Sequence, residues 1–331
     1  MKNSVTQAKI VYLFGAGATH AELVNLYPEK ITDPIFLKKN GLLMGDVSKR
    51  VCIRAKDEKY FSKRTLKLFS SAGLSNIELF ISLLEKNEIK SDEIIERLKE
   101  LIKKDILKRL TPSNRKKFYL HKSLFEFHLK KKKREKLLGI ISLNYDQVLD
   151  DAYRTIIRKD PNYCLSLEEP KEIPLLKLHG GFGLPYRGKE LPIITPGINK
   201  NYLELPYNFI WGRALELLIE CDILRVIGCS LSQNDLGLID LLFKAHLARE
   251  QSLKIQMITF DPKNNNIKEN YGFFPDIETA FKIEGDLISD PTIDDPSKGS
   301  NPFQVWLKAK FERMMTHSEI IKTKYVKKVL V

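Results

Sequence analysis

Short apolar runs recur along the chain, and each ends abruptly at small or polar residues. Lys9 to Phe14 (KIVYLF) stops at Gly15, Leu137 to Leu143 (LLGIISL) at Asn144-Tyr145-Asp146, and Ile173 to Leu178 at His179-Gly180-Gly181. Asp222 to Ile227 stops at Gly228-Cys229-Ser230, and Lys254 to Phe260 at Asp261-Pro262. Their length and β-branched content predict buried strands. Leu191 to Thr195 and Glu278 to Ile283 predict two more. Between them lie helical periods: Val148, Leu149, Ala152 and Ile156; residues 201 to 220 beyond Pro206; Leu236 to Leu247; and a terminal helix over Pro302 to Met315. Strands alternating with helices predict an α/β fold, a Rossmann-like parallel sheet with helices on both faces.

One stretch breaks the alternation. Residues 30 to 75 carry several breakers and no sustained period. From Asn76, placed as an N-cap, Ile77, Phe80, Ile81 and Leu84 share a helix face. Ile95, Leu98, Ile102 and Ile106 form a second stripe, and a third helix is expected from Asn114 into a lysine cluster. The expected organisation is therefore a sheet-bearing unit of residues 1–29 and 137–290, a mainly helical insertion at 30–136, and a C-terminal helix and tail at 291–331.

Charge sharpens this picture. The chain has 55 Lys and Arg against 42 Asp and Glu, and residues 97–136 alone hold 16 against 4. The excess is local, densest at Lys130 to Arg134. A solvated helical face, a polyanion such as nucleic acid, and an acidic protein surface all fit that run. No stretch is long and apolar enough for a membrane span, and the N-terminus lacks a secretory pattern, so a cytoplasmic setting is expected. The four cysteines, Cys52, Cys164, Cys221 and Cys229, form no C-x-x-C pair, so no zinc site is expected. They read as buried thiols.

The strand ends are where open α/β sheets bind ligands. Gly15-Ala16-Gly17-Ala18-Thr19 precedes a helix, so its backbone can approach a pyrophosphate and its helix N-terminus can offer N–H groups. Taken alone the turn is a partial dinucleotide motif, since His20 stands at the third glycine position. A plain tight turn also fits it. Asn144 and Asp146 could cap a helix, Gly228-Cys229-Ser230 could be an ordinary β–α turn, and His179 could be a satisfied polar residue. No G-x-x-x-x-G-K-[ST] occurs, which excludes a P-loop.

Together, GAGAT, LNYD, KLHG and IGCS, in this order over residues 10 to 235, resemble the motifs of the sirtuin-like (silent information regulator-type) NAD-binding family. The resemblance implies NAD as substrate. It implies catalytic roles for Asn144, Asp146 and His179, and NAD contacts at Gly15, Ala16, Gly17, Thr19, Gly228 and Ser230. Asp261 is a further candidate contact. Protein-deacylating members carry a zinc module with paired cysteines and a phenylalanine-arginine segment after the glycine turn, and this chain has neither. The resemblance is therefore closer to the bacterial sirtuin-like NAD hydrolases of anti-phage defence. That implies an NAD glycohydrolase releasing nicotinamide and ADP-ribose, active as a homo-oligomer or with a partner such as a DNA-translocating ATPase or an Argonaute-like protein. A non-catalytic NAD or ADP-ribose sensor, and a module recruited to nucleic acid through the basic segment, are the alternatives.

Overall fold

The computed structural model describes residues 7–27, 30, 33–58, 61–69, 76–86, 92–130, 135–195, 202–251, 253–258, 270–271 and 282–283. In chain order the elements are β1 (Ala8–Phe14), α1 (Ala16–Val24), α2 (Pro34–Asn40), α3 (Met44–Asp57), α4 (Lys63–Leu68), α5 (Ile77–Lys86), α6 (Asp92–Leu107), α7 (Pro112–Lys117) and α8 (Leu120–Lys130). There follow β2 (Glu135–Ser142), α9 (Val148–Ile157), β3 (Leu175–Lys177), the small hairpin β4 (Pro185–Tyr186) and β5 (Lys189–Glu190), α10 (Tyr207–Glu220), β6 (Ile223–Ile227), α11 (Leu236–Leu247), β7 (Lys254–Ile258) and β8 (Lys282–Ile283).

The main sheet has the order β3-β2-β1-β6-β7-β8, with every ladder parallel. Counting its strands along the chain gives 3-2-1-4-5-6, the doubly wound Rossmann order, and the direction of winding reverses between β1 and β6. Parallel strands need covering on both faces, and the alternation along β1 does this. Val11 and Leu13 pack with α10 and α11, whereas Ile10, Tyr12 and Phe14 pack with α1, α8 and α9. A third apolar cluster, built on Val47, Val51, Phe80, Ile81, Leu98 and Ile102, belongs to the helical segment. It also takes in Tyr145, Phe182 and Ile193 from the loops beyond β2 and β3.

Several expectations hold in detail. Asn76 Oδ1 accepts the Leu79 N–H at 3.0 Å, a helix cap. Helix α11 spans the expected residues. Cys52, Cys164, Cys221 and Cys229 are buried free thiols; burial pushes Cys164 and Cys229 up to about 11 and Cys221 to about 12, so they are poor nucleophiles. Among the described residues no helix is long and apolar enough to cross a membrane.

Other expectations are corrected. Leu191 to Thr195 is not a strand: it joins no ladder, and Leu191 and Ile194 donate instead to the carbonyls of Leu184 and His179. The helix expected from Asn114 is two helices, split at Phe118 and Tyr119. The physical cause is a buried carboxylate on α1. Glu22 accepts the Tyr119 N–H at 2.9 Å and the His121 N–H at 2.8 Å, and also His121 Nδ1 at 2.8 Å. It thereby caps α8 from outside and turns its apolar face, Leu120, Leu124 and Phe125, onto the sheet layer. Lys131 to Arg134, the terminal helix and the tail lie outside the described residues.

Two outcomes test this architecture. The turns after β1 and β6 are in backbone contact. A Cβ on Gly228, which has φ +63°, would lie 2.2 Å from the Ala18 nitrogen. Gly228→Ala is expected to cost roughly 2–5 kcal/mol, from left-handed strain plus overpacking. Urea unfolding reads this, and an unchanged midpoint would contradict the contact. Glu22 supplies the second test. Burial raises its pKa, but hydrogen bonds and charge from His121, with the backbone N–H groups, outweigh burial and leave it lowered from 4.5. A depressed carboxyl stabilises the fold above its unfolded value and loses that contribution as pH falls through the folded one. Glu22→Gln should therefore cost about 1–3 kcal/mol at pH 7. The gap from wild type should narrow below pH 4.5; a gap independent of pH would refute it.

Candidate functional site

The register brings the strand ends level. Phe14 pairs with Ser142 on one side and with Ile227 on the other, and Ser142 pairs with Lys177. The residues that follow, Gly15, Leu143, Leu178 and Gly228, therefore emerge side by side at the carboxyl edge. The turns they begin carry nearly every residue singled out from the sequence.

Gly15 and Gly17 are pressed against the turn after β6. The Gly15 N–H donates to the Ile227 carbonyl at 3.0 Å, and the Gly17 N–H to the Gly228 carbonyl at 2.9 Å. A Cβ on Gly15 would come 2.6 Å from the Gly228 oxygen, and one on Gly17 2.8 Å from the Gly228 Cα. These glycines are thus required by loop-on-loop packing. The contact also uses the Gly17 N–H, one of the donors expected to face a ligand. Ala16 opens α1, with Gly15 as its N-cap.

Asn144 is 7% exposed. Its Nδ2 donates to the Gly15 carbonyl and to Thr19 Oγ1, both at 3.0 Å. A carbonyl can only accept, so the amide nitrogen must face it. Among the described residues, none gives a hydrogen bond to the buried Asn144 Oδ1. A buried acceptor without a partner costs free energy, and a water or ligand donor there would recover it. Asp146 Oδ1 accepts the Val148 N–H, the first amide of α9, at 2.9 Å, while the N-cap position itself is Gln147.

His179 is 2% exposed, and its Nε2 lies 3.2 Å from Asp235 Oδ2. Asp235 also caps α11, through the Leu238 N–H at 3.2 Å. The pairing ties the β3 end to the loop after β6. The His179 ring sits 6.4 Å, centroid to centroid, from both Tyr145 and Trp211, and the Trp211 indole donates to the Leu178 carbonyl at 3.0 Å. The four turns thus close into a circuit: Asn144 to Gly15 and Thr19, Gly17 to Gly228, Asp235 to His179, and His179 back to Tyr145.

The remaining candidates are more peripheral. Ser230 is exposed, and its carbonyl accepts Asn270 Nδ2 at 2.9 Å. Asp261 lies outside the described residues. His20 Nδ1 accepts the Leu42 N–H at 3.1 Å, which ties α1 to the segment before α3.

Lys177, Asp235 and Tyr145 join the site through contacts that the motifs alone do not mark. A lysine inside the apolar run LLKL was the available signal for the first. Tyr145 is buried, and its phenol donates to Glu78 Oε1 on α5 at 2.7 Å, with the Ile194 carbonyl at 3.3 Å. Burial, then the Glu78 charge, hold its pKa well above the usual phenol value, so it stays a donor.

The basic segment is partly neutralised by the fold. Arg97 pairs with Glu58, Lys99 with Glu85, Lys103 with Glu190, and Arg115 with Asp151. Asp105, fully buried, is met by Arg50 and Arg109.

No known protein-family pattern matches the chain, and no curated protein matches it in sequence. Among solved structures it is similar to one described as the crystal structure of a Sir2 homolog–NAD complex, with 13% identity over 94% of this chain and 91% of that one, at a TM-score of 0.38. It is also similar to one described under the structural basis for the mechanism and regulation of Sir2 enzymes, with 13% identity over 95% of each chain, at a TM-score of 0.32. The Rossmann order of the sheet stands on its own ladders.

Tyr145→Phe tests the link between this turn and the helical segment. It removes a donor to a carboxylate and should cost about 1.5–3 kcal/mol in unfolding free energy. A cost below about 0.5 kcal/mol, the level of an ordinary surface change, would contradict the link.

Proposed function

We propose that the chain is an NAD glycohydrolase. The reaction breaks the bond between C1′ of the ribose and the pyridinium nitrogen, and both bonding electrons leave with nicotinamide. Nicotinamide departs neutral, so no general acid is required. Water adds its oxygen to C1′ and gives up one proton, yielding ADP-ribose. The transition state resembles an oxocarbenium ion, as in other glycosyl transfers.

The observation that carries this reading is the juxtaposition of Asn144, whose buried Oδ1 meets no donor among the described residues, and the His179–Asp235 pair, on turns at the carboxyl edge of the sheet. In the proposal, Asn144 Oδ1 accepts a hydrogen from the attacking water and so places it. His179 takes the water's other proton as general base. Asp235 orients the imidazole and offsets the positive charge it gains, the role of the third member in nucleophile–base–orienter sets. Asp146 engages the nicotinamide carboxamide or supports the cation through its second carboxylate oxygen. Gly15, Ala16, Gly17, Thr19, Gly228 and Ser230 line the path of the pyrophosphate, with Asp261 as a further contact.

Residues 1–29 and 137–290 form the nucleotide-binding unit in this reading, 30–136 the helical insertion and 291–331 the tail. The motif resemblance extends it to an effector of anti-phage defence in the cytoplasm. Assembly of copies, or a partner such as a DNA-translocating ATPase or an Argonaute-like protein, would activate it.

Nicotinamide release by the purified chain, measured at several protein concentrations, tests the proposal. Wild type should consume NAD, with a more than proportional rise where assembly activates. His179→Ala and Asn144→Ala should each lose roughly 10²–10⁴-fold. Full activity in both variants would remove the assigned roles. NAD or ADP-ribose binding without nicotinamide release at any concentration would favour a sensor.

A further inference from the structure

We infer that Lys177 is a positioning residue that holds the Asn144–Asp146 turn in its working shape. The turn has no helical or strand hydrogen bonding of its own, and each of its residues is held by a group from outside it. The Asn144 N–H donates to Ser142 Oγ at 3.2 Å. The Tyr145 carbonyl accepts the Phe182 N–H at 2.7 Å. The Asp146 carbonyl accepts from the Lys177 ammonium.

Lys177 is 1% exposed and stands two residues before His179 on β3. Its Nζ also lies 3.1 Å from Asp150 Oδ2 on α9, and Asp150 Oδ1 accepts the Tyr163 hydroxyl at 2.6 Å. The bare turn residue Gly181 lies over its stem: a Cβ there would meet the Lys177 Cε at 2.9 Å. One side chain thus touches both the turn that carries Asn144 and the turn that carries His179.

A buried ion pair is a poor source of stability, since apolar residues of similar volume often serve as well. The pair therefore calls for another role. An apolar side chain at 177 could fill the volume, but it could not donate to the Asp146 carbonyl, which would be left unpaired in the interior. The positioning itself stands on geometry alone. Its consequence for turnover rests on the glycohydrolase reading.

Three proteins separate turn order from global stability: wild type, Asp150→Asn, and Lys177→Met with Asp150→Asn. The first variant leaves the lysine on the carbonyl but strips its counter-charge. It should lower Tm while amide hydrogen exchange over residues 144–147 stays as in wild type. The double variant removes both charges. It should recover most of the Tm, yet exchange over 144–147 should rise at least about tenfold, and kcat for NAD should fall by roughly 10²-fold, the scale of a small misplacement of catalytic groups. A purely structural pair would make exchange follow Tm in both variants, and that result overturns the inference, as does wild-type exchange in the double variant. Should the double variant not fold, Asp150→Asn decides alone: a lowered Tm with wild-type exchange supports the inference, and raised exchange overturns it. Should wild type release no nicotinamide, the enzyme reading falls, while the exchange measurements still decide the role of Lys177.

Discussion

The contact on which the rest depends is backbone against backbone. Where the winding of the sheet reverses, the turn after β1 and the turn after β6 run so close that Gly15, Gly17 and Gly228 have no room for a Cβ. The approach is held by the N–H groups of Gly15 and Gly17 on the carbonyls of Ile227 and Gly228. It sets the height of α1 above the sheet. That height brings the Gly15 carbonyl and Thr19 within reach of the Asn144 amide, and so determines which way Asn144 faces. The glycines have a structural duty before any ligand is considered.

Beneath the site, polar groups are buried in places where apolar side chains would pack more simply. Arg225, 1% exposed on β6, makes a two-pronged pair with Glu135 on β2 at 2.8 and 2.7 Å and touches the Tyr12 hydroxyl of β1. Glu22 caps α8, and Lys177 reaches Asp150. The Arg225–Glu135 pair spans two strands that no ladder joins, and Glu22 and Lys177 likewise link elements outside any ladder between them. Directional bonds of this kind specify one arrangement among several of similar apolar burial, because an alternative packing would leave a charge unpaired in the interior.

The helical segment is not independent of the site. Its apolar cluster includes Tyr145, the middle residue of the Asn144–Asp146 turn, along with Phe182 and Ile193. Glu78 on α5 takes the Tyr145 hydroxyl. A shift of α5 would therefore bear on Asn144 through its neighbour, which gives a physical route from the helical segment to the strand ends. Part of the segment's positive charge is met from outside it, Lys103 by Glu190 and Arg115 by Asp151.

Much of this was legible from residues alone, for a definite reason. Strands buried on both faces must be nearly all apolar, so KIVYLF, LLGIIS and ILRVI stand out, and the polar residues that end them mark the carboxyl edge. Gly15, Asn144, His179 and Gly228 were found that way. The split between α7 and α8 was hidden, because its cause is Glu22, 97 residues from the Tyr119 N–H in the chain. Leu191 to Thr195 misled, because an apolar run records burial and not the ladder that burial comes with. The pairing of His179 with Asp235, the bonds that turn the Asn144 amide and the reach of Lys177 to Asp146 depend on which side chains meet across turns. Local periodicity carries no information about such meetings; the register of the strands and the packing of the turns decide them.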